Sequence, residues 1–276
     1  STIQKQIIPG GGKGFELGGA VRHGQHVACK GQTVGGLLDL PQLAGITTTF
    51  VNPDDLTAME SAIRPNTKML YLETICNPNI NVPDFDGIKA IAVRHGLPVV
   101  LDNTFGMPPI FQAKRYGADI VIHSLSKYAG GHGTTIGGAV VDMGTYGYEG
   151  ERFACYRTPD AQNGNIIYAD QPAPLATRLR LQLIREFGAC LSPFSAFQIL
   201  QGLETLSLRI RRHCDNALLV AQYLVAQEKV AYVHYPALPG DPYHERAQKY
   251  LPNGSGAILS FGVRGGVAEG RRFIDG

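Results

Sequence analysis

Residues 68–102 read KMLYLETICNPNINVPDFDGIKAIAVRHGLPVVLD, and this stretch decides the fold. Lys68–Glu73 is a short apolar run that ends on polar residues, which is typical of a buried strand. In Asp84–Arg94 the apolar residues recur at helical spacing, with an acidic residue at the start and His95-Gly96 at the end. Leu97–Asp102 is a second apolar run. We therefore predict a strand, a helix and a strand.

The same alternation continues along the chain. Ile110–Tyr116 predicts a shorter helix after Asp102, and Ala118–His123 and Ile136–Asp142 are further apolar runs that predict strands. Strands that alternate with helices imply right-handed crossovers and a mostly parallel sheet covered on both faces. The fold class is therefore α/β, and ligands in such sheets bind at the carboxyl ends of the strands. Three polar residues lie at those ends: Glu73, Asp102 and Ser124.

The rest of the chain has a different pattern. Residues 143–190 lack strand periodicity, and we interpret them as a long excursion with a helix near residues 174–187. Ser192–Ala226 predicts one long amphipathic helix. The segments beyond it read as a strand, a helix, a strand and the start of a helix, at residues 230–235, 241–250, 256–263 and 266–274.

These patterns imply two regions. We expect residues 1–190 to form a large ligand-binding domain whose N-terminal part is incomplete; its first 20 residues are glycine-rich and read as irregular. We expect residues 191–276 to be a linking helix and the beginning of a truncated C-terminal α+β domain.

Composition limits the function. The net charge is +2, with no basic tract, so we expect no nucleic-acid partner. No apolar run approaches the roughly 20 residues of a membrane span, and no signal-peptide pattern begins the chain. The 5 cysteines form no C-x-x-C pair and the 8 histidines no metal-binding spacing. We therefore expect a cytoplasmic protein without membrane association, disulfide framework or metal site.

The strongest local signal is the segment 123–133, which reads HSLSKYAGGHG. Lys127 follows a predicted parallel strand, and an amine in a partly desolvated pocket has a lowered pKa and can attack an aldehyde. Ser124 and Ser126 could donate hydrogen bonds to a phosphate. The alternative is a surface lysine on a turn, with serines that cap local backbone. A P-loop is excluded because Lys127 precedes the glycines, and Ser126 lacks the G-x-S-x-G elbow of serine hydrolases.

Two further signals lie at the same edge of the sheet. Asp102, in Asp-Asn-Thr-Phe105, could pair with a protonated pyridine nitrogen, or it could close an Asx-turn. Asn77 precedes a proline and is held extended, so its amide could face a ring hydroxyl or simply belong to a turn. Because one ring could contact all three segments, each signal strengthens the others.

These residues resemble the Cys/Met-metabolism family of enzymes that use pyridoxal 5'-phosphate (PLP). The resemblance runs from about Gly24 to Gly276 and is most specific in YLET…NP (71–78), VLDNTF (100–105) and HSLSKYAGGHG (123–133). Within the family, the chain is most similar to the branch that acts on O-acetylhomoserine. The long excursion before Leu191, and the stretch LSPFSAF…QGLETL that follows with Arg212-His213, carry that likeness.

The resemblance implies PLP-dependent transferase fold type I, the aspartate-aminotransferase-like fold, with PLP as the cofactor. It implies that Lys127 holds the cofactor covalently and acts as the catalytic base. The other implied contacts are Asp102 with the ring nitrogen, Asn77 with the ring hydroxyl, Thr104 close to the ring, and Ser124 and Ser126 with the phosphate.

The implied reaction is a γ-replacement in which sulfide or a thiol displaces acetate from O-acetyl-L-homoserine. An elimination lyase on the same scaffold and a catalytically silent remnant that binds PLP without turnover are the alternatives. The implied partners are a small amino-acid substrate and further copies of the chain, in a dimer or tetramer.

The chain also departs from the family pattern. Residues 32–36 read QTVGG, so Val34 stands where relatives have a tyrosine that stacks on the cofactor. The upstream Ser-Gly-Met phosphate loop and the Tyr-x-Arg segment are not recognisable, and the substrate-carboxylate arginine is expected beyond Gly276. We therefore expect a fragment or a relative with altered or lost activity. The basic cluster Arg209–His213 is interpreted as a solvated helix face.

Overall fold

The computed structural model describes residues 46–275 in full and residues 25–29 as backbone. Its main element is a six-stranded sheet with the order β2-β1-β3-β4-β5-β6. The strands are β1 (Gln25–Cys29), β2 (Thr47–Val51), β3 (Thr67–Glu73), β4 (Val99–Asp102), β5 (Ile120–Ser124) and β6 (Gly138–Asp142). Neighbours from β2 through β5 pair in parallel, and β6 pairs with β5 antiparallel.

This sheet confirms the predicted α/β class with a mostly parallel sheet. The strands predicted at residues 68–73, 97–102, 118–123 and 136–142 correspond to β3, β4, β5 and β6, in that order. Two strands, β1 and β2, and the short helix α1 (Leu56–Ser61) have no counterpart in the sequence analysis. Asp55 begins α1, because its side chain accepts a hydrogen bond from the Ala58 N–H. The irregular reading of residues 1–20 lies outside the described residues.

Helix α2 (Phe85–Arg94) forms as predicted, and its ends have local causes. The side chain of Asp84 accepts from the Gly87 N–H at 3.3 Å, which satisfies one free donor of the first turn. After the C-terminal His95, Gly96 takes a positive φ of 57°. The apolar residues of one face are buried against the sheet: Phe85, Ile88, Ile91 and Ala92.

The helix predicted for Ile110–Tyr116 is wrong. Successive turns occupy this segment, and the N–H groups of residues 115, 116 and 117 donate to carbonyls three residues earlier, not four. Pro108 and Pro109 precede the segment and Gly117 ends it with φ 81°. Both Ile110 and its neighbour Phe111 are buried, so the segment buries adjacent positions and not the single stripe of a surface helix.

The excursion after β6 is mostly helical and aromatic. It contains α3 (Ala154–Arg157), α4 (Pro174–Arg178), a π-helical stretch (Leu179–Ile184) and α5 (Arg185–Phe187), which confirms a helix near residues 174–187. Its core is made of buried aromatic rings, of Tyr148, Phe153, Tyr156 and Tyr168.

The predicted helix Ser192–Ala226 is two helices. They are α6 (Pro193–Glu204) and α7 (Leu206–Val225), separated at Thr205, which has φ −102° and ψ 2°. The later elements follow the predicted order: β7 (Val230–His234), α8 (His244–Tyr250), β8 (Ser260–Val263) and α9 (Val267–Asp275). Strands β7 and β8 form a two-stranded antiparallel sheet.

The two faces of the main sheet bury different residues. Leu70, Leu72, Leu101 and Val121 belong to the large core that also contains the buried face of α2. The opposite face has a smaller cluster around Tyr71, Val100 and Ile120. Side chains alternate between the two faces along a strand. Glu73, Asp102 and Ser124, which end β3, β4 and β5, therefore lie on the same face as this smaller cluster.

A buried carboxylate joins three parts of this fold. Asp119 is 2% exposed and accepts hydrogen bonds from Lys89 Nζ on α2 at 3.0 Å, from the Val99 N–H of β4 at 2.9 Å, and from Thr145 Oγ1 at 2.8 Å. Thr145 lies at the beginning of the excursion, so Asp119 fixes the excursion and α2 to the sheet.

Among the described helices, none is long and apolar enough to cross a membrane. Within the same part of the chain, no group of three or more histidine, cysteine, aspartate or glutamate side chains could hold a metal ion.

Candidate functional site

Three strands end in polar residues on one face of the sheet. Glu73 of β3 is in register with Asp102 of β4, which is in register with Ile122 of β5. Ser124 lies two residues beyond Ile122 and therefore on the same face. The carboxyl ends of three neighbouring parallel strands thus place Glu73, Asp102 and Ser124 side by side.

A run of short hydrogen bonds connects these strand ends to the predicted lysine. Asp102 Oδ1 accepts from the Thr104 N–H at 2.9 Å, and Thr104 Oγ1 accepts from the Ser124 N–H at 2.8 Å. The Lys127 N–H then donates to the Ser124 carbonyl at 3.2 Å. Thr104 is 5% exposed, so its hydroxyl is a buried link between β4 and β5.

The hydroxyl of Ser126 links the lysine turn to β6. Its Oγ accepts from the Gly137 N–H at 3.0 Å and is 3.3 Å from the Gly137 carbonyl, to which it donates. The side chain of Lys127, the next residue, is exposed. The serine is therefore held by backbone while the adjacent amine extends to the surface of the edge.

Asn77 lies in the loop after β3, where its N–H donates to Glu73 Oε2 at 3.3 Å. The structure thus brings the six predicted site residues to one edge of the sheet: Asn77, Asp102, Thr104, Ser124, Ser126 and Lys127. Their roles toward a cofactor remain predictions. The Val34 segment, residues 32–36, lies outside the described residues.

Two carboxyl groups, those of Glu73 and Asp102, lie next to each other at this edge of the sheet. Burial, and then the charge of Asp102, raise the pKa of Glu73 to about 7. The hydroxyl of Tyr71 donates to Asp102 Oδ2 at 3.4 Å, and burial raises the pKa of this phenol above its usual range, so that it stays a neutral donor. Such a corner favours a cation beside Asp102.

Tyr71 was missed by the sequence analysis as a site residue, and Glu73 was seen only as a strand end. The two-residue period of β3 carries the signal for both, since it puts them on the face of Asp102. What the sequence cannot show is the distance between strands, which decides that the phenol reaches the carboxylate.

The residues of this edge fit pyridoxal phosphate by their chemistry. The cofactor has an aldehyde, a basic ring nitrogen and a phosphate, and the edge offers a primary amine (Lys127), a carboxylate (Asp102) and two hydroxyls (Ser124 and Ser126).

A family model of Cys/Met metabolism PLP-dependent enzymes matches residues 17–276, and the chain belongs to this family. The chain is 48% identical over 225 residues to a homocysteine/cysteine synthase of Kluyveromyces lactis, which covers 80% of this chain and 51% of that protein. It is 36% identical over 272 residues to an O-acetyl-L-homoserine sulfhydrylase of Leptospira meyeri, with 93% and 61% covered. The chain thus spans about half the length of the first of these curated relatives.

Solved structures share the fold. An O-acetylhomoserine (thiol)-lyase from Campylobacter jejuni, solved with N'-pyridoxyl-lysine-5'-monophosphate, matches with a TM-score of 0.83 and 32% identity, over 88% of this chain and 62% of that one. Cystathionine gamma-lyase from Lactobacillus plantarum, complexed with L-serine, matches with a TM-score of 0.73 and 32% identity, over 89% and 57%. The resemblance to fold type I enzymes is therefore confirmed.

Proposed function

We propose that this chain binds pyridoxal 5'-phosphate at the edge formed by β3, β4 and β5, and that its protein catalyses γ-replacement on O-acetyl-L-homoserine. One observation carries the proposal. Lys127 and Asp102 are joined through Thr104 and Ser124 at strand ends, in a chain 48% identical to a homocysteine/cysteine synthase.

The proposed reaction is a substitution without net oxidation or reduction. The Cγ–O bond of O-acetylhomoserine breaks and a Cγ–S bond forms, so hydrogen sulfide gives homocysteine and acetic acid, and methanethiol gives methionine. The cofactor, when bound, supplies an electron sink for the substrate's α-carbon.

The chain's own residues have separate tasks in this proposal. The Lys127 amine would hold the cofactor covalently, and the same amine would act as the base that moves protons at Cα and Cβ of the substrate. Asp102 holds a proton on the ring nitrogen, and the Tyr71 hydroxyl keeps that carboxylate in place. The remaining proposed contacts are the ring hydroxyl for Asn77, the ring for Thr104, and the phosphate for Ser124 and Ser126.

A second candidate is γ- or β-elimination, supported by the match to cystathionine gamma-lyase with a TM-score of 0.73. The substrate is again a small amino acid, but its γ- or β-substituent leaves, one water is consumed, and the other products are an oxo acid and ammonia.

The cofactor test is spectroscopic. Purified protein is mixed with PLP, the visible absorbance of bound cofactor is recorded, and the measurement is repeated with Lys127→Ala and with Lys114→Ala, an exposed lysine in the turns after β4. We expect the absorbance in the unmodified protein and in K114A, and its loss in K127A. No absorbance in the unmodified protein would sink the cofactor proposal, and absorbance that survives in K127A would sink the role of Lys127.

The reaction test is product analysis. The PLP-loaded protein is given O-acetylhomoserine with and without sulfide. Homocysteine that requires sulfide supports γ-replacement, whereas 2-oxobutyrate and ammonia formed without sulfide support elimination. Neither product from a protein that binds the cofactor would support the third possibility, a silent PLP-binding protein.

We also propose a cytoplasmic homo-oligomer, a dimer or a tetramer, with a boundary between its two regions near residue 190. Cys76, Cys155, Cys190 and Cys214 are free, as in a reducing compartment. Apolar side chains of α6 are exposed in this single chain, with Phe194 at 69% and Leu200 at 62%, which supports burial between copies. Light scattering at two concentrations tests the assembly, and cell fractionation tests the compartment.

A further inference from the structure

The guanidinium of Arg209 contacts the turn that carries Lys127, although the two residues are far apart in the chain. Its Nη1 donates to the Tyr128 carbonyl at 2.8 Å, and its Nη2 donates to the Ala129 carbonyl at 3.3 Å. The same group holds the junction of α6 and α7: Nη2 donates to the Gly202 carbonyl at 2.6 Å and Nε to Thr205 Oγ1 at 3.0 Å.

Two glycines allow this close approach. A Cβ added to Gly202 would lie 2.3 Å from the Gly130 carbonyl oxygen, so α6 contacts the backbone of the turn directly. Gly131 has φ +72°, and a Cβ there would lie 2.5 Å from Arg209 Nη1. No side chain fits between the turn, the helix and the guanidinium.

Backbone hydrogen bonds within the turn use the Leu125 and Lys127 carbonyls as acceptors. The Gly130 N–H donates to the Leu125 carbonyl at 2.8 Å, and the Gly131 N–H donates to the Lys127 carbonyl at 2.9 Å. The next two carbonyls accept from Arg209. Ala129 is fully buried, so losing the guanidinium would leave its carbonyl inside the protein without that donor, which is costly.

We infer that Arg209 is a positioning residue that sets where Lys127 presents its amine; this inference rests on the proposed function of Lys127. The planar fork of arginine donates to several carbonyls at once, and an ammonium group has no such geometry. The reading of residues 209–213 as a solvated helix face is therefore wrong for Arg209, whereas Arg211 and Arg212 of the same cluster are exposed.

The test compares Arg209→Ala and Arg209→Lys with Arg211→Ala, an exposed arginine on the same helix. Three quantities are measured for each: the dissociation constant of PLP, the pH titration of the visible absorbance of bound cofactor, and the thermal midpoint without cofactor. We expect R209A to bind PLP about tenfold more weakly, since two turn carbonyls lose their donor. We also expect its titration midpoint to shift, R209K to recover less than half of the loss, and R211A to match the unmodified protein.

The outcomes separate this inference from the function on which it rests. An unmodified protein without cofactor absorbance fails the proposed function itself. If the unmodified protein binds PLP, and R209A has the same dissociation constant and the same titration midpoint, only the role of Arg209 is overturned. A lower thermal midpoint with unchanged binding and titration also overturns it, because that is a purely structural role. If R209A does not fold, R209K decides by the same two readouts.

Discussion

Replacing Gly202 with alanine is expected to destabilise the protein, although Gly202 lies within helix α6. Inside a helix, glycine to alanine normally stabilises by about 1 kcal/mol. Here the added Cβ would lie 2.3 Å from the Gly130 oxygen and 2.4 Å from the Ala129 oxygen. Both atoms are backbone, so the helix or the lysine turn must move. Overpacking of this kind costs about 1–3 kcal/mol, and the Arg209 bonds weaken as the surfaces separate.

The net expectation for G202A is a loss of about 1–2 kcal/mol in the free energy of unfolding, together with weaker PLP binding. Gly270→Ala is the matched control, because Gly270 lies in α9 and a Cβ there meets nothing within 4 Å. Urea unfolding of both variants and the unmodified protein measures the difference. We expect G270A to be unchanged or stabilised by up to about 1 kcal/mol. The reasoning is refuted if G202A is as stable as G270A.

Two further predictions concern carboxyl groups: that of Asp119, which is buried, and that of Glu73, which is half-buried. Asp119→Ala should lower the free energy of unfolding by about 3 kcal/mol, because Lys89 and the Val99 N–H lose a buried acceptor. Chemical denaturation measures this, and a loss below about 1 kcal/mol would contradict the bracing role. Glu73 has a folded-state pKa raised from 4.5 to about 7, so it holds a proton in the folded state that the unfolded state has released. The free energy of unfolding of the cofactor-free protein should therefore fall as the pH rises from 4.5 through 7. Glu73→Gln should make this fall smaller than in the unmodified protein. Identical plots of unfolding free energy against pH for the two proteins would disprove the raised pKa.

The part of the fold that could be predicted is the part with local causes. Helix α2 has its apolar stripe, its capping Asp84 and its terminal Gly96 within a dozen residues, and all of these are visible in the sequence. The same holds for β3, β4 and β5, which are apolar runs with polar ends. Because parallel strands end at one edge, the sequence alone also predicts that the six candidate site residues lie together.

The remainder depends on contacts between distant segments. The break at Thr205 divides a helix whose apolar pattern continues through it, and it occurs where α6 packs against the lysine turn. The bond from Tyr71 to Asp102 depends on the separation of two strands, and the bonds of Arg209 on the packing of α7. No periodicity within either segment contains that information.

The contact between Arg209, Gly131 and Gly202 also limits how this sequence can change. A side chain at either glycine would occupy the space of the guanidinium or of the turn, and an inserted residue between Lys127 and Gly131 would carry the two carbonyls out of its reach. If one of these three residues is replaced, the contact is lost and no longer constrains the other two. These positions should therefore be exchanged jointly or retained jointly as such proteins diverge.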